Sequence, residues 1–104
     1  MIRITRMNTS RDLDPPDFIE AIEAARQGAE AVTKVPGIKW CKVLLSRGDL
    51  VFVTEHEKYG NADAALAEPA VQAAIGKLSV GFGFRPAGDE FLNEIEQVMP
   101  FLKR

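Results

Sequence analysis

The chain of 104 residues holds one cysteine, one histidine, one tryptophan and one tyrosine. A lone Cys41 excludes an intrachain disulfide. With His56 as the only imidazole, the chain cannot supply the Cys/His set of a structural zinc site, so no metal is expected. No apolar run approaches the roughly 18 residues of a membrane span. Met1 to Arg11 is basic and polar where a secretory leader would be apolar, so the expected location is the cytoplasm. Nor is there an excess of positive charge: 13 basic residues face 15 acidic ones. The basic side chains are scattered rather than gathered into a phosphate-binding patch, which argues against nucleic acid as a partner. The single basic pair at an end, Lys103-Arg104, reads as a solubilising tail.

What is present is an ordinary globular composition, 46% apolar and 27% charged, with length for one domain spanning residues 1–104. Ile2 to Asn8 reads as a strand, with Ile2 and Ile4 on one side and Arg3, Thr5 and Met7 on the other. Asp14-Pro15-Pro16-Asp17 is a helix start, and Phe18, Ile22, Ala25, Ala29 and Val32 then form an apolar stripe up to about Thr33. Pro36-Gly37 ends it. Two strands, Ile38 to Ser46 and Leu50 to Glu55, flank Arg47-Gly48, a hairpin turn in which glycine supplies positive φ. Glu57 to Leu78 reads as a helix broken at Glu68-Pro69. Ser79 to Arg85 alternates Val80, Phe82 and Phe84 with small residues and reads as the last strand, followed by a terminal helix capped by Asp89 and stopped near Pro100.

The order is βαββαβ plus a terminal helix, an α+β chain of ferredoxin-like type with a four-stranded antiparallel sheet in the order 4-1-3-2. Both sides of the central hairpin are apolar, with Trp40 and Leu44 opposed to Cys41, Val43 and Leu45, and Leu50 and Phe52 opposed to Val51 and Val53. Helices cover one face only, so the other needs a second layer. A twofold copy of the chain supplies one, and the terminal helix folding back is the alternative.

With that order, the chain resembles the dimeric α/β-barrel superfamily. Its members include antibiotic-biosynthesis-type monooxygenases, haem-degrading enzymes and small stress-responsive proteins. The resemblance runs from Ile2 to Phe84 and rests on element order, with Ala64 to Gln72 similar to a second helix in which proline follows an acidic residue. It implies a homodimer packed sheet on sheet. No diagnostic catalytic motif accompanies it.

Candidate chemistry centres on His56, the one side chain of its type able to move protons near neutrality, at the end of a strand in Glu55-His56-Glu57-Lys58-Tyr59. The competing reading is a solvated, idle histidine between two carboxylates. Asn8 resembles in position an asparagine that haem-degrading and some oxygen-using members place in their cavity. Trp40 lies earlier than the tryptophan of a haem-degrading member, so no cofactor is expected. Arg6 and Arg85, on strands adjacent in the sheet, could hold a carboxylate or phenolate, or Arg85 could be an edge-strand charge. Trp40, Phe82 and Tyr59 would wall a pocket, or simply pack. Gly81 and Gly83 could make room beside the sheet, and Cys41 reads as a small buried hydrophobe. The resulting expectation is a cofactor-independent monooxygenase-like enzyme acting on a small aromatic or polyketide-like molecule. His56 would be its base, and Asn8 or Arg6 would orient the oxyanion. The alternative is a dimer that binds a small molecule, or only packs, without catalysis.

Overall fold

A computed structural model describes residues 1–102; the Lys103-Arg104 tail lies outside the described residues. Strands β1 (Ile2–Asn8), β2 (Ile38–Ser46), β3 (Asp49–His56) and β4 (Arg85–Leu92) form one antiparallel sheet in the order β2-β3-β1-β4. Helix α1 (Pro15–Thr33) connects β1 to β2, and α2 (Tyr59–Ala67) and α3 (Pro69–Gly76) follow β3. Helix α4 (Ile95–Leu102) closes the described chain. The order and antiparallel pairing are those expected from the sequence.

Local chemistry explains each boundary. The Asp17 amide donates to Asp14 Oδ1 at 2.9 Å, and Pro15 follows the cap in the first turn of α1. Arg47 and Gly48 both have positive φ, 55° and 87°, which suits the right-handed twist of the β2–β3 hairpin. Pro69 separates α2 from α3 because its nitrogen carries no hydrogen for the helical ladder. The buried side of α1 consists of small residues, Ala21, Ala24, Ala25, Gly28 and Ala29, while Ile22 is only half-buried. This differs from the bulkier stripe expected, and the cause is the close approach of α3. A Cβ placed at Gly28 would lie 3.0 Å from Ala74 Cβ.

The last strand departs from expectation. Ser79 to Arg85 is not a strand: Lys77–Gly81 forms a wide π turn continuing α3, and the chain reverses at Gly83, φ 75°. The Gly83 and Phe84 amides donate to the Ser79 and Leu78 carbonyls, both at 3.0 Å. Glycine in the left-handed region after a helix is a C-terminal cap. Phe82 and Phe84 are buried with Met7 and Leu78, whereas Val80 is 81% exposed. Thr9 Oγ1 donates to the Phe82 carbonyl at 2.8 Å and Arg11 Nη1 to that of Gly81 at 3.0 Å, so polar side chains clasp the freed helix end.

The true β4 contains Pro86, Gly88, Asp89 and Glu90, and Asp89 is a strand residue rather than a helix cap. It is an edge strand, where proline is tolerated, with a register shift opposite Arg6 and Met7. Helix α4 begins later than expected and runs past Pro100, and none of its residues is buried. Leu44 and Leu92, on the sheet face away from α1–α3, stay 52% and 45% exposed, so the terminal helix does not cover that face.

Replacing Gly83 by alanine puts a Cβ in the left-handed region, 2.7 Å from Arg11 Nε and 3.0 Å from Thr9 Oγ1. The substitution is expected to lower the unfolding free energy by about 1–2 kcal/mol in urea titrations. Gly81→Ala, which meets only Lys77 Cγ at 3.9 Å, should have much less effect. Equal losses would contradict the cap assignment.

Candidate functional site

Strand alternation divides the sheet into two surfaces. Arg3, Thr5 and Met7 of β1, Cys41 of β2, and Phe52, Thr54 and His56 of β3 face the helices. Between them and Ala25, Gly28, Ala62, Ala65, Leu66, Ala74 and Ile75 lies a cavity of about 100 Å³. On the helix side small residues, Ala25, Gly28, Ala62, Ala65 and Ala74, stand among larger ones and leave space next to the sheet.

His56 ends β3 and is 1% exposed, so it is not the solvated side chain of the competing reading. Its backbone amide donates to the Met1 carbonyl at 2.9 Å. Its Nδ1 lies 2.6 Å from the Lys58 carbonyl oxygen, a contact that requires Nδ1–H as donor. With Nδ1–H so engaged, the neutral form of the ring is the tautomer that presents Nε2 as an acceptor. Nε2 is buried with no partner, on a side chain that lines the cavity. An unpaired buried acceptor is costly, and a ligand donor would relieve that cost. Asn61 fixes the loop that aims the ring: its Oδ1 accepts from the Lys58 amide at 2.8 Å, and its Nδ2 donates to the Pro36 carbonyl at 3.3 Å.

The remaining polar groups of the cavity are already engaged. Arg3 donates through Nε and Nη2 to both Asp89 oxygens at 2.9 Å, and Thr5 Oγ1 donates to Asp89 Oδ1 at 3.2 Å. The Arg3 hydrogen bonds hold the Asp89 carboxyl below the usual carboxylate range, against a smaller opposing effect of burial. Thr54 Oγ1 donates to Cys41 Sγ at 3.4 Å. Phe91 of β4 joins the rim: Arg3 Cζ sits 5.4 Å from its ring centre, the His56 ring meets it edge-on at 5.9 Å, and Tyr59 lies against it at 5.1 Å.

Of the catalytic and substrate-binding candidates read from the sequence, His56 alone lines this cavity. Asn8 is exposed at the end of β1, paired with Arg85, which is exposed on the edge strand. Arg6 points to the opposite face and pairs with Asp49 at 3.1 Å, opposite Gly88 rather than Arg85. The late start of β4 breaks the expected arginine pair. Trp40 is also on the opposite face, with Nε1 donating to Glu55 Oε2 at 2.6 Å. Tyr59 is 58% exposed outside the cavity, touching it only through Phe91. Phe82 is core, and Gly81 and Gly83 are not beside the sheet. The sequence reading missed Arg3, Thr5, Thr54, Asn61 and Phe91. The first three share the His56 face by simple alternation, which was the available signal. Cys41 is a cavity wall rather than a sealed core residue. Among the described residues, no group of three or more His, Cys, Asp or Glu side chains could hold a metal ion, and no helix is long and apolar enough to cross a membrane.

No family model matches the sequence, and no curated protein matches it. Solved structures do resemble the fold. An antibiotic biosynthesis monooxygenase superposes with a TM-score of 0.71 at 12% identity, over 91% of this chain and 99% of that one. An asparagine-to-alanine variant of SnoaB, a cofactor-independent oxygenase from Streptomyces nogalater, gives 0.69 at 14% identity, over 89% and 93%. A conserved protein from Methanosarcina mazei gives 0.67 at 15% identity, over 88% and 92%. The chain thus has the ferredoxin-like fold of the antibiotic biosynthesis monooxygenases, which is the fold that the resemblance implied.

Burial pushes the Cys41 thiol above its ordinary range, with the Thr54 hydrogen bond opposing it in part. Because the thiolate is the reactive form, alkylation by iodoacetamide at pH 8 should be several-fold slower in the folded protein than in urea, and should accelerate as pH rises further. A folded-state rate equal to the unfolded one would contradict this placement.

Proposed function

We propose that the chain is a monooxygenase-like enzyme needing no cofactor, acting as a cytoplasmic homodimer on a single-ring aromatic or enolic molecule with an acidic hydroxyl. The observation that carries this reading is the buried Nε2 of His56, an acceptor with no partner on a side chain that lines an otherwise apolar cavity. A cavity of about 150 Å³ holds benzene. One of about 100 Å³ therefore admits at most one ring and excludes fused polycycles.

Nε2 would take the hydroxyl proton while Nδ1–H, held on the Lys58 carbonyl, stabilises the imidazolium that forms. The resulting anion is electron-rich and sits away from water, the state in which an organic anion can pass an electron to dioxygen. The fold shared with a cofactor-independent oxygenase supports the choice of reaction. The homodimer is supported by the exposed apolar residues on the outer face of the sheet, and the cytoplasm by a chain with no disulfide to form.

One observation favours the second reading, binding without turnover. The hydroxyl hydrogens of Thr5 and Thr54 and the Nε–Nη2 side of Arg3 are committed to Asp89 and Cys41, which leaves a developing oxyanion only the Arg3 N–H groups not bonded to Asp89 and the weak Cys41 S–H. Two measurements separate the readings. In thermal-shift titrations, phenol should bind about tenfold more tightly than methoxybenzene, which lacks the donor, and His56→Gln should erase that difference. An oxygen electrode with 1,4-dihydroxybenzene in chelator-treated buffer should record uptake above the spontaneous rate, falling about 100-fold or more in His56→Gln. Preference for phenol without oxygen uptake would leave the binding reading standing and defeat the enzymatic one.

A further inference from the structure

Cys41 and His56 border the same cavity from neighbouring strands. Cys41 pairs with Thr54, and His56 stands two residues beyond Thr54 on the same side of β3. Diagonal positions of that kind lie about 7–8 Å apart at the backbone, so a single six-membered ring between the side chains meets both. The Thr54 hydroxyl donates to Cys41 Sγ at 3.4 Å, a bond that favours the thiolate. Burial disfavours it more strongly, so the sulfur waits as a thiol and needs a base in order to react. Among the described residues, the one buried side-chain nitrogen or oxygen without a partner is Nε2 of His56, on the wall of this same cavity.

We infer that Cys41 is a covalent capture site for single-ring quinones, with His56 as its proton relay. Such capture rests on the ring-sized cavity and the proton-accepting histidine of the reading above, and it needs no activation of oxygen.

A quinone is a flat ring, within the volume limit of the cavity, and its ring carbons are soft electrophiles that suit sulfur. Sγ forms a bond to a ring carbon β to one carbonyl. The C=C electron pair moves toward that carbonyl, whose oxygen becomes negative, and the S–H proton passes to Nε2. The imidazolium, steadied by Nδ1–H on the Lys58 carbonyl, hands the proton to that oxygen. The hydrogen on the sulfur-bearing carbon then leaves as a proton and the second carbonyl oxygen takes one up. An aromatic dihydroxy ring results, joined to Cys41 as a thioether. No atom is lost, and the quinone itself is the oxidant that turns a ring C–H into C–S. The quinone has no hydroxyl to offer Nε2, whereas the adduct has two, so addition gives the unpaired acceptor its donor.

Cys41 also lines an open groove against α1, with Ile22, Arg26 and Lys42, and is therefore the wall between groove and cavity. Phenol separates the two approaches, because it fills the cavity and leaves the groove free.

The test is mass spectrometry of the full chain exposed to 1,4-benzoquinone at pH 7, with iodoacetamide as the reference reagent. One benzoquinone should add at Cys41, at a rate that levels off as its concentration rises. Phenol at about ten times its dissociation constant should slow the addition about tenfold. The folded-to-unfolded rate ratio should be about tenfold or more higher for benzoquinone than for iodoacetamide, and His56→Gln should bring the two ratios together. Should that variant not fold, phenol protection of the unaltered chain decides alone. Addition that phenol does not slow would put the approach in the groove and overturn the capture site, as would a sulfur left unmodified until urea is added. Phenol bound in preference to methoxybenzene with no addition of quinone would defeat the capture and leave the cavity reading standing. Phenol-protected addition without oxygen uptake from 1,4-dihydroxybenzene would support the capture and defeat only the enzymatic reading.

Discussion

A β-strand cannot turn its back on either side, and every consecutive pair of residues in this sheet divides between two surfaces. On β1, Ile2, Ile4 and Arg6 go outward while Arg3, Thr5 and Met7 go toward the helices; on β3, Val51, Val53 and Glu55 alternate with Leu50, Phe52, Thr54 and His56. The inner set meets helices in which small residues stand among larger ones and leaves a cavity lined by His56, whose Nε2 has no partner. The outer set meets no helix, and Leu44 and Leu92 there stay exposed. Both the candidate chemistry and the proposed assembly descend from that division. The cavity would shrink if α1 carried a leucine where it has Ala25, because a longer side chain would take up part of the space next to the sheet.

The fold was legible wherever local and long-range signals agreed. Asp14-Pro15 is a helix start by its own chemistry, and Arg47-Gly48 is a hairpin turn by its own chemistry. In both places the structure uses the residues as read. The reading failed where one pattern serves two purposes. Phe82-Gly83-Phe84 looks like strand alternation, yet the glycine is there to reverse a helix end, and both rings enter the core from a cap. The strand that does complete the sheet has poor intrinsic preference, with proline, glycine and two acids. It forms because β1 offers it an edge and because Arg3 and Thr5 fasten Asp89. Such tertiary support leaves no trace in a local window.

The site was legible in one residue and misassembled around it. His56 was singled out for its chemistry, and its burial and free nitrogen give that choice a location. Asn8 enters through its resemblance in position to a family asparagine, and Arg6 and Trp40 through neighbouring strands, but alternation sends the Arg6 and Trp40 side chains to the other surface. Following the face of His56 instead leads to Thr54, then across to Cys41 and Arg3, residues with less obvious chemistry. Asn61 is a positioning residue that only the bent loop after β3 could disclose, since one partner is Lys58, just before α2, and the other is Pro36, 25 residues upstream.

The roof above the cavity is two short rods meeting at Pro69 instead of one long one. Helix α3 packs mainly on α1, while α2 touches both α3 and β3. A single continuous helix would tilt as a unit, and any change in its seating on α1 would be felt over the histidine. Of the α2 residues at the cavity, Ala62 and Ala65 are buried and Leu66 is exposed, so Leu66 is the one that can be exchanged at least cost while the seam between α1 and α3 keeps its spacing. The width of the chamber can thereby be retuned at one outward-leaning position of its roof, with the tightly seated alanines beside it left as they are.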